Sequence, residues 1–133
     1  MKNDNIDIAK VSSHWISRSD RDFDTMNNLM KTTDFHWALF IGHLVIERLL
    51  KAYLVRKTET HAPFTHDLRR LAKLTGLEMD DQQKKWLDTI STFNLNARYD
   101  DYKQDFYKKC TADFAETWVS NIKTLRQWIK TKL

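Results

Sequence analysis

Only three of the 133 residues are glycine or proline: Gly42, Pro63 and Gly76. Average usage would put about 12% of a chain in these two types. A sheet-rich domain needs turn residues every ~8–12 positions, so this chain lacks the corners that such a fold requires. Collagen-like and glycine-rich linker architectures are excluded for the same reason. What remains is a set of long helices with few, short connections. Seven Phe, five Trp and four Tyr, within a hydrophobic fraction of 41%, are enough to build a core, so a wholly disordered chain is excluded as well. The length suits one domain spanning residues 1–133.

Helical periodicity runs through the chain. Ile8, Val11, Trp15, Phe23, Met26 and Met30 fall at three- and four-residue steps around a polar middle and predict a helix from about Asp7 to Lys31. A second helix is predicted from Phe35 to Lys57, with Asp34 as N-cap. Trp37, Leu39, Phe40, Ile41, Leu44, Val45, Ile46, Leu49, Leu50, Tyr53 and Leu54 make it apolar on most of its circumference. Such a helix is buried on several sides, either at the centre of a bundle or also at a subunit interface, so a homodimer is expected. After a loop over 58–65, a short helix is predicted from His66 to Thr75 with Gly76 as its C-cap. Asp80 and Gln83 form a capping-box pair for a fourth helix that buries Trp86, Ile90, Phe93 and Ala97. Residues 94–101 break the apolar pattern. Phe114, Trp118, Ile122, Leu125 and Ile129 mark a last helix from Ala112 to Lys132. The expectation is all-α: an antiparallel, up-and-down four-helix bundle with one additional short helix.

The mean hydropathy is −0.63, and the best apolar run, 37–46, is interrupted by His43. A membrane span needs about 20 residues, so none is expected. The N-terminus has no apolar signal region, and a cytoplasmic location is expected. A single cysteine, Cys110, excludes an intrachain disulfide and a cysteine zinc cage.

Several groups bear on chemistry. Residues 48–73 carry a net +5 and residues 117–133 a net +4; two basic segments can meet phosphates or act as solvated helix faces. On the second helix His36, His43, Glu47 and Lys51 share one side at 100° per residue. His43 and Glu47 have the i, i+4 spacing of metal ligands, but no HExxH or second ligand pair accompanies them, and no metal or cofactor is expected. Glu47–Lys51 also reads as an ordinary i, i+4 pair. Because the stripe is the one polar side of an apolar helix, it is expected to face water or a partner. Lys108, Lys109 and a following helix start would lower the pKa of Cys110, though the thiol also reads as a structural one. No nucleophile elbow or phosphate-cradling glycine loop is present. Arg98 beside Tyr99 supplies a guanidinium fork and an aromatic face, groups that suit a phosphate and a base; Arg98 can equally pair with Asp100 or Asp101, leaving Tyr99 to fill a core gap.

Four pieces, in order, resemble the HEPN domain family (higher eukaryotes and prokaryotes nucleotide-binding): Trp15, Asp22, Met26 and Leu29; Glu47-Arg48-Leu49-Leu50-Lys51-Ala52-Tyr53-Leu54 after Phe40, similar to E-x-x-L-K-A-x-L; Thr65-His66-Asp67-Leu68, similar to T-H-D-L; and Asn96-Ala97-Arg98-Tyr99-Asp100-Asp101-Tyr102, similar to A-R-Y-P-D-Y with Asp in place of Pro. The resemblance covers nearly the whole chain. It implies a helical bundle, often dimeric, whose prokaryotic members are frequently paired with a minimal nucleotidyltransferase in toxin–antitoxin-like systems. Many members are metal-independent ribonucleases with an R-x(4–6)-H motif. Here Lys103, Gln104 and Asp105 stand five to seven positions after Arg98, and no histidine follows His66. The general acid/base is missing from that motif, so no catalytic residue is expected. The expected function is a non-catalytic module binding a nucleotide or anion, or a nucleotidyltransferase partner, through Arg98, Tyr99, His66, Lys51 and Glu47. The alternatives are a ribonuclease in which His66 or His43 substitutes for the missing histidine, and a purely structural oligomerising bundle. An up-and-down topology is expected to bring residues 94–101 to the end where the second and third helices join, so that Arg98, Tyr99 and His66 border one polar cleft with Glu47 and Lys51 on its wall. A helix N-terminus there would favour an anion.

Overall fold

The computed structural model describes residues 6–133, with backbone alone at Asp100 and Asp101. Among these residues there are six helices and no strand: α1 (Ile8–Lys31), α2 (Phe35–Thr58), α3 (Leu68–Thr75), α4 (Asp81–Arg98), α5 (Asp100–Lys109) and α6 (Ala112–Lys132). Starts follow local chemistry. The Asp7 carboxylate accepts from the Lys10 amide, Asp67 from Arg70, and Thr111 Oγ1 from Phe114. Asp80 and Gln83 form the predicted reciprocal box. Asp34 is the exception: it makes no side-chain cap bond and instead accepts from Thr32 Oγ1 at 2.6 Å. Gly76 ends α3 in the left-handed region at φ 72°, a conformation that glycine adopts without steric cost.

α2 is the central helix, packed by α1, α3, α4 and α6. Ser12 of α1 meets Arg56 and Ser19 meets Val45, so α1 runs antiparallel to α2. α6 runs in the same direction as α2: Ile122 lies against Gly42, and the Leu133 carbonyl accepts from Arg56. A Cβ on Gly42 would stand 2.5 Å from Ile122 Cδ1; this glycine lets α2 and α6 approach. The up-and-down order of the four long helices is therefore as expected. Much of the apolar circumference of α2 is buried inside the chain: Leu39, Val45, Ile46, Leu49 and Leu50 are fully buried, while Trp37, Phe40, Ile41, Leu44 and Tyr53 are partly so.

Three sequence expectations are corrected. α5 is a helix where only a break in pattern was visible: its ten residues carry one buried apolar side chain, Phe106, held by Phe93 with ring centroids 5.6 Å apart. α3 starts at Leu68, because Asp67 takes the N-cap and leaves His66 in the preceding segment. On α4, Leu87 is fully buried, whereas Trp86 only packs against the core from its edge.

Candidate functional site

The segment 59–67 does not simply cross the end of the bundle. It returns along α2, so that His66 meets that helix at His43 and Glu47. α3 then runs back until the Thr75 carbonyl accepts from Lys57, near the C-terminus of α2. This excursion puts His66 over the polar stripe of α2.

The stripe does not face water. His43 is fully buried, and Glu47, Lys51 and His36 are nearly so. Its charged members, Glu47 and Lys51, are tolerated because they pair with each other, and Glu47 also with His66. A buried carboxylate is costly unless paired and hydrogen-bonded. Glu47 meets both demands: Oε2 accepts from Lys51 Nζ at 3.1 Å, and Oε1 accepts from His66 Nδ1 at 2.7 Å. The Lys51 ammonium also lies 5.3 Å from the ring centroid of Trp15 on α1, a cation–π geometry. Nearby, Arg48 pairs with Asp22. Burial pushes the Asp22 carboxyl above its usual range despite that partner, and the Glu47 charge adds to the rise.

His43 closes the network. Its Nε2 lies 2.9 Å from the His66 carbonyl oxygen, which can only accept, so Nε2 carries the proton. Burial holds the pKa of His43 below the ordinary histidine value, outweighing the raising effects of the carbonyl bond and of Glu47. The ring is therefore the neutral Nε2–H tautomer, and its buried Nδ1 has no hydrogen-bond partner; it stands 3.8 Å from Glu47 Oε1. His66 differs from its neighbours in exposure: half of its side chain faces solvent. With Nδ1–H donated to Glu47, Nε2 has no hydrogen-bond partner among the described residues.

The structure thus brings together three of the predicted residues, Glu47, Lys51 and His66. It leaves Arg98 and Tyr99 as a separate pair. Among the described residues no hydrogen bond or ion pair joins either of them to the other three. Arg98 Nε donates to the Asn94 carbonyl, and its guanidinium carbon lies 5.4 Å from the ring centroid of Tyr99. The separation follows from topology. In an up-and-down bundle α4 ends at the opposite end of the molecule from the α2–α3 connection. Ser91, which accepts from the Leu68 amide, is seven residues before Arg98, about 10 Å of helix. Beyond Arg98, α5 packs at the start of α2: Tyr107 against His36, and Lys103 over Trp37. The pairing of Arg98 with Asp100 or Asp101 lies outside the described side chains. Tyr99 fills no core gap, being half exposed.

The N-terminus of α3 is not an open anion site, since the Leu68 amide is taken by Ser91 and the Arg70 amide by Asp67. Among the described residues no group of three His, Cys, Asp or Glu is placed to hold a metal ion. Cys110 is buried, and burial pushes its thiol up to about 11, against the smaller lowering effect of Lys109, in line with the structural reading of the thiol. A surface cavity of about 370 Å³ opens at the α3–α4 turn, lined by Ala72, Lys73, Leu77 and Lys84 among others, and none of the five predicted residues lines it. Sequence reasoning weighed His43 as a metal ligand, as part of the polar stripe and as a substitute ribonuclease histidine, but not as the buried ring that holds the His66 carbonyl; it passed over Phe64, a fully exposed aromatic two residues before His66. A lone aromatic beside the one proline, in an otherwise polar segment, was the available signal.

The HEPN domain family model matches residues 12–132. Among solved structures, the crystal structure of TT1696 from Thermus thermophilus shares the fold with a TM-score of 0.78 at 15% identity, over 92% of this chain and 98% of that one. No curated protein matches. Among the described residues no helix is long and apolar enough to cross a membrane.

Proposed function

The chain belongs to the HEPN domain family, and we propose that it is a non-catalytic binding module whose ligand is a nucleotide, taken by its phosphate at His66. The observation that carries this reading is the Glu47–His66 pair. A nearly buried carboxylate, backed by Lys51, fixes the Nδ1 of a half-exposed imidazole and leaves the other nitrogen without a hydrogen-bond partner among the described residues. An imidazole N–H placed this way donates a hydrogen bond to a phosphate oxygen, a charge-assisted one. Lys51 acts through Glu47, because its ammonium is spent on that carboxylate and on Trp15. Arg98 and Tyr99 are a second, outlying contact, reached only by a ligand longer than one nucleotide.

Calorimetric titration of the full chain with adenosine 5′-monophosphate tests the reading. A charge-assisted bond is worth about 1.5–3 kcal/mol, so His66→Ala is expected to weaken binding by roughly 10- to 100-fold. Equal titrations for both proteins, or no binding by the parent chain, refute it.

The same pair favours one other reading. A carboxylate-oriented imidazole is also a general base, here for attack of a ribose 2′-hydroxyl on its phosphate, as a ribonuclease in which His66 replaces the histidine absent after Arg98. Cleavage of RNA in EDTA, lost in His66→Ala, selects that reading; intact RNA selects the binding module.

Pairing with a nucleotidyltransferase is proposed on family grounds, and co-purification with such a partner tests it. A homodimer is proposed through exposed apolar side chains at the α4–α5 end of the bundle. Leu95 and Tyr99, at the end of α4, and Tyr102 and Tyr107 on α5 are exposed and are the proposed contact; mass by light scattering tests it.

A further inference from the structure

Resting on the phosphate reading of His66, we propose that Phe64 is the platform for the nucleobase, so that the segment 64–70 reads both ends of one nucleotide. Phe64 is fully exposed, a position that wastes a large apolar ring in a chain that buries most of its others. It stands two residues from His66, so their Cα atoms are at most about 7 Å apart. That span matches the separation of base and 5′-phosphate within a nucleotide. Arg70, one turn into α3, is exposed, and its guanidinium has no hydrogen-bond or ion-pair partner among the described residues. The adjacent Arg69, by contrast, is bound to Asp88 at 2.7 Å. The segment therefore offers an aromatic face, an oriented imidazole and an uncommitted guanidinium in order. Those are the groups needed for a flat ring joined to a phosphate.

A protein partner fits this surface less well. A stable interface covers about 800 Å² on each side around an apolar centre. In its segment Phe64 is the one large apolar side chain, beside the small Ala62 and Pro63 and the polar Thr60, His61, Thr65 and His66. The other exposed large apolar side chains, such as Leu74, Leu95 and Tyr102, stand on the helices.

Two probes separate this inference from the reading beneath it. Adenosine 5′-monophosphate carries base, sugar and phosphate; ribose 5-phosphate carries the last two alone. The full chain is expected to bind the nucleotide at least about 5-fold more tightly than the sugar phosphate, the lower end of the range for one stacked base. Phe64→Leu keeps an apolar side chain without the ring. It is expected to remove that preference while leaving ribose 5-phosphate binding unchanged, and Phe64→Trp is expected to restore it. Because Phe64 touches no core residue, both variants fold as the parent does, and circular dichroism checks this. Equal affinity of the parent chain for the two probes overturns the nucleobase platform and leaves the phosphate reading standing. Absence of binding to both overturns the two together. A fall in sedimentation mass in Phe64→Leu, with the nucleotide preference intact, assigns Phe64 to a protein contact and overturns the proposal.

Discussion

Replacing Glu47 with alanine removes the carboxylate that Lys51 and His66 share. Lys51 is nearly buried and has no second acid within bonding distance among the described residues. Its ammonium is then left in the protein interior against the Trp15 ring alone. Breaking a buried pair from one side costs about 3–5 kcal/mol, most of it the penalty of the stranded charge. His66 is half exposed, so water replaces its lost bond and adds little. The lower end, ~3 kcal/mol, is the expected cost. In a domain of this size each kcal/mol moves the midpoint by about 3–5 °C, so thermal unfolding followed by circular dichroism should fall by roughly 10–15 °C. The argument makes a second demand. If the penalty is a stranded charge, removing both charges should recover most of it, because an apolar replacement of a buried ion pair is often neutral. Glu47→Leu combined with Lys51→Met is expected within about 1 kcal/mol of the parent, a non-additivity that the double-mutant cycle reads directly. A midpoint for Glu47→Ala within ~3 °C of the parent, or a double variant as unstable as the single, refutes the reasoning.

Other outcomes follow from neighbouring groups. His43 and His36 are both held below the ordinary histidine pKa, chiefly by burial. The unfolded chain thus binds protons that the native state refuses, and stability is lost as pH falls below about 6.5 toward the folded-state values. The unfolding midpoint should drop between pH 7.5 and 5.5, and His43→Gln, which keeps a donor for the His66 carbonyl, should flatten part of that slope; an unchanged slope contradicts the assignment. Cys110, pushed up to about 11, should react with iodoacetamide at pH 8 far more slowly in the native protein than in guanidinium, and equal rates would show the thiol to be accessible and ionised. Gly76→Ala forces a left-handed residue and sets its Cβ 2.3 Å from Lys57 Nζ; a cost of about 1–2 kcal/mol in chemical denaturation is expected, and no change in midpoint would count against the tight α3 turn.

The division between what sequence alone conveys and what needs the fold runs along the range of the interactions. Helix starts and stops are local: Asp7, Asp67, Asp80 with Gln83, Gly76 and Thr111 act on amides and torsions within a few residues, so their chemistry can be read along the chain. The central position of α2 is equally readable, because a helix apolar on most of its circumference is buried on several sides. α5 escaped that reading because it buries a single apolar side chain, Phe106 on Phe93, which leaves no periodic apolar face to read. The site divides in the same way. Glu47 and Lys51 are one helical turn apart and pair as spacing implies. That the pair is buried, that His66 joins it, and that Arg98 stands apart all depend on the path of residues 59–67 back along α2, with α4 then running to the far end of the bundle. No residue type specifies that path locally. It is set by several weak long-range terms together, among them the His43–His66 carbonyl bond, the Ser91–Leu68 bond and the burial of Leu68 and Leu71, and these exist only once the helices have packed.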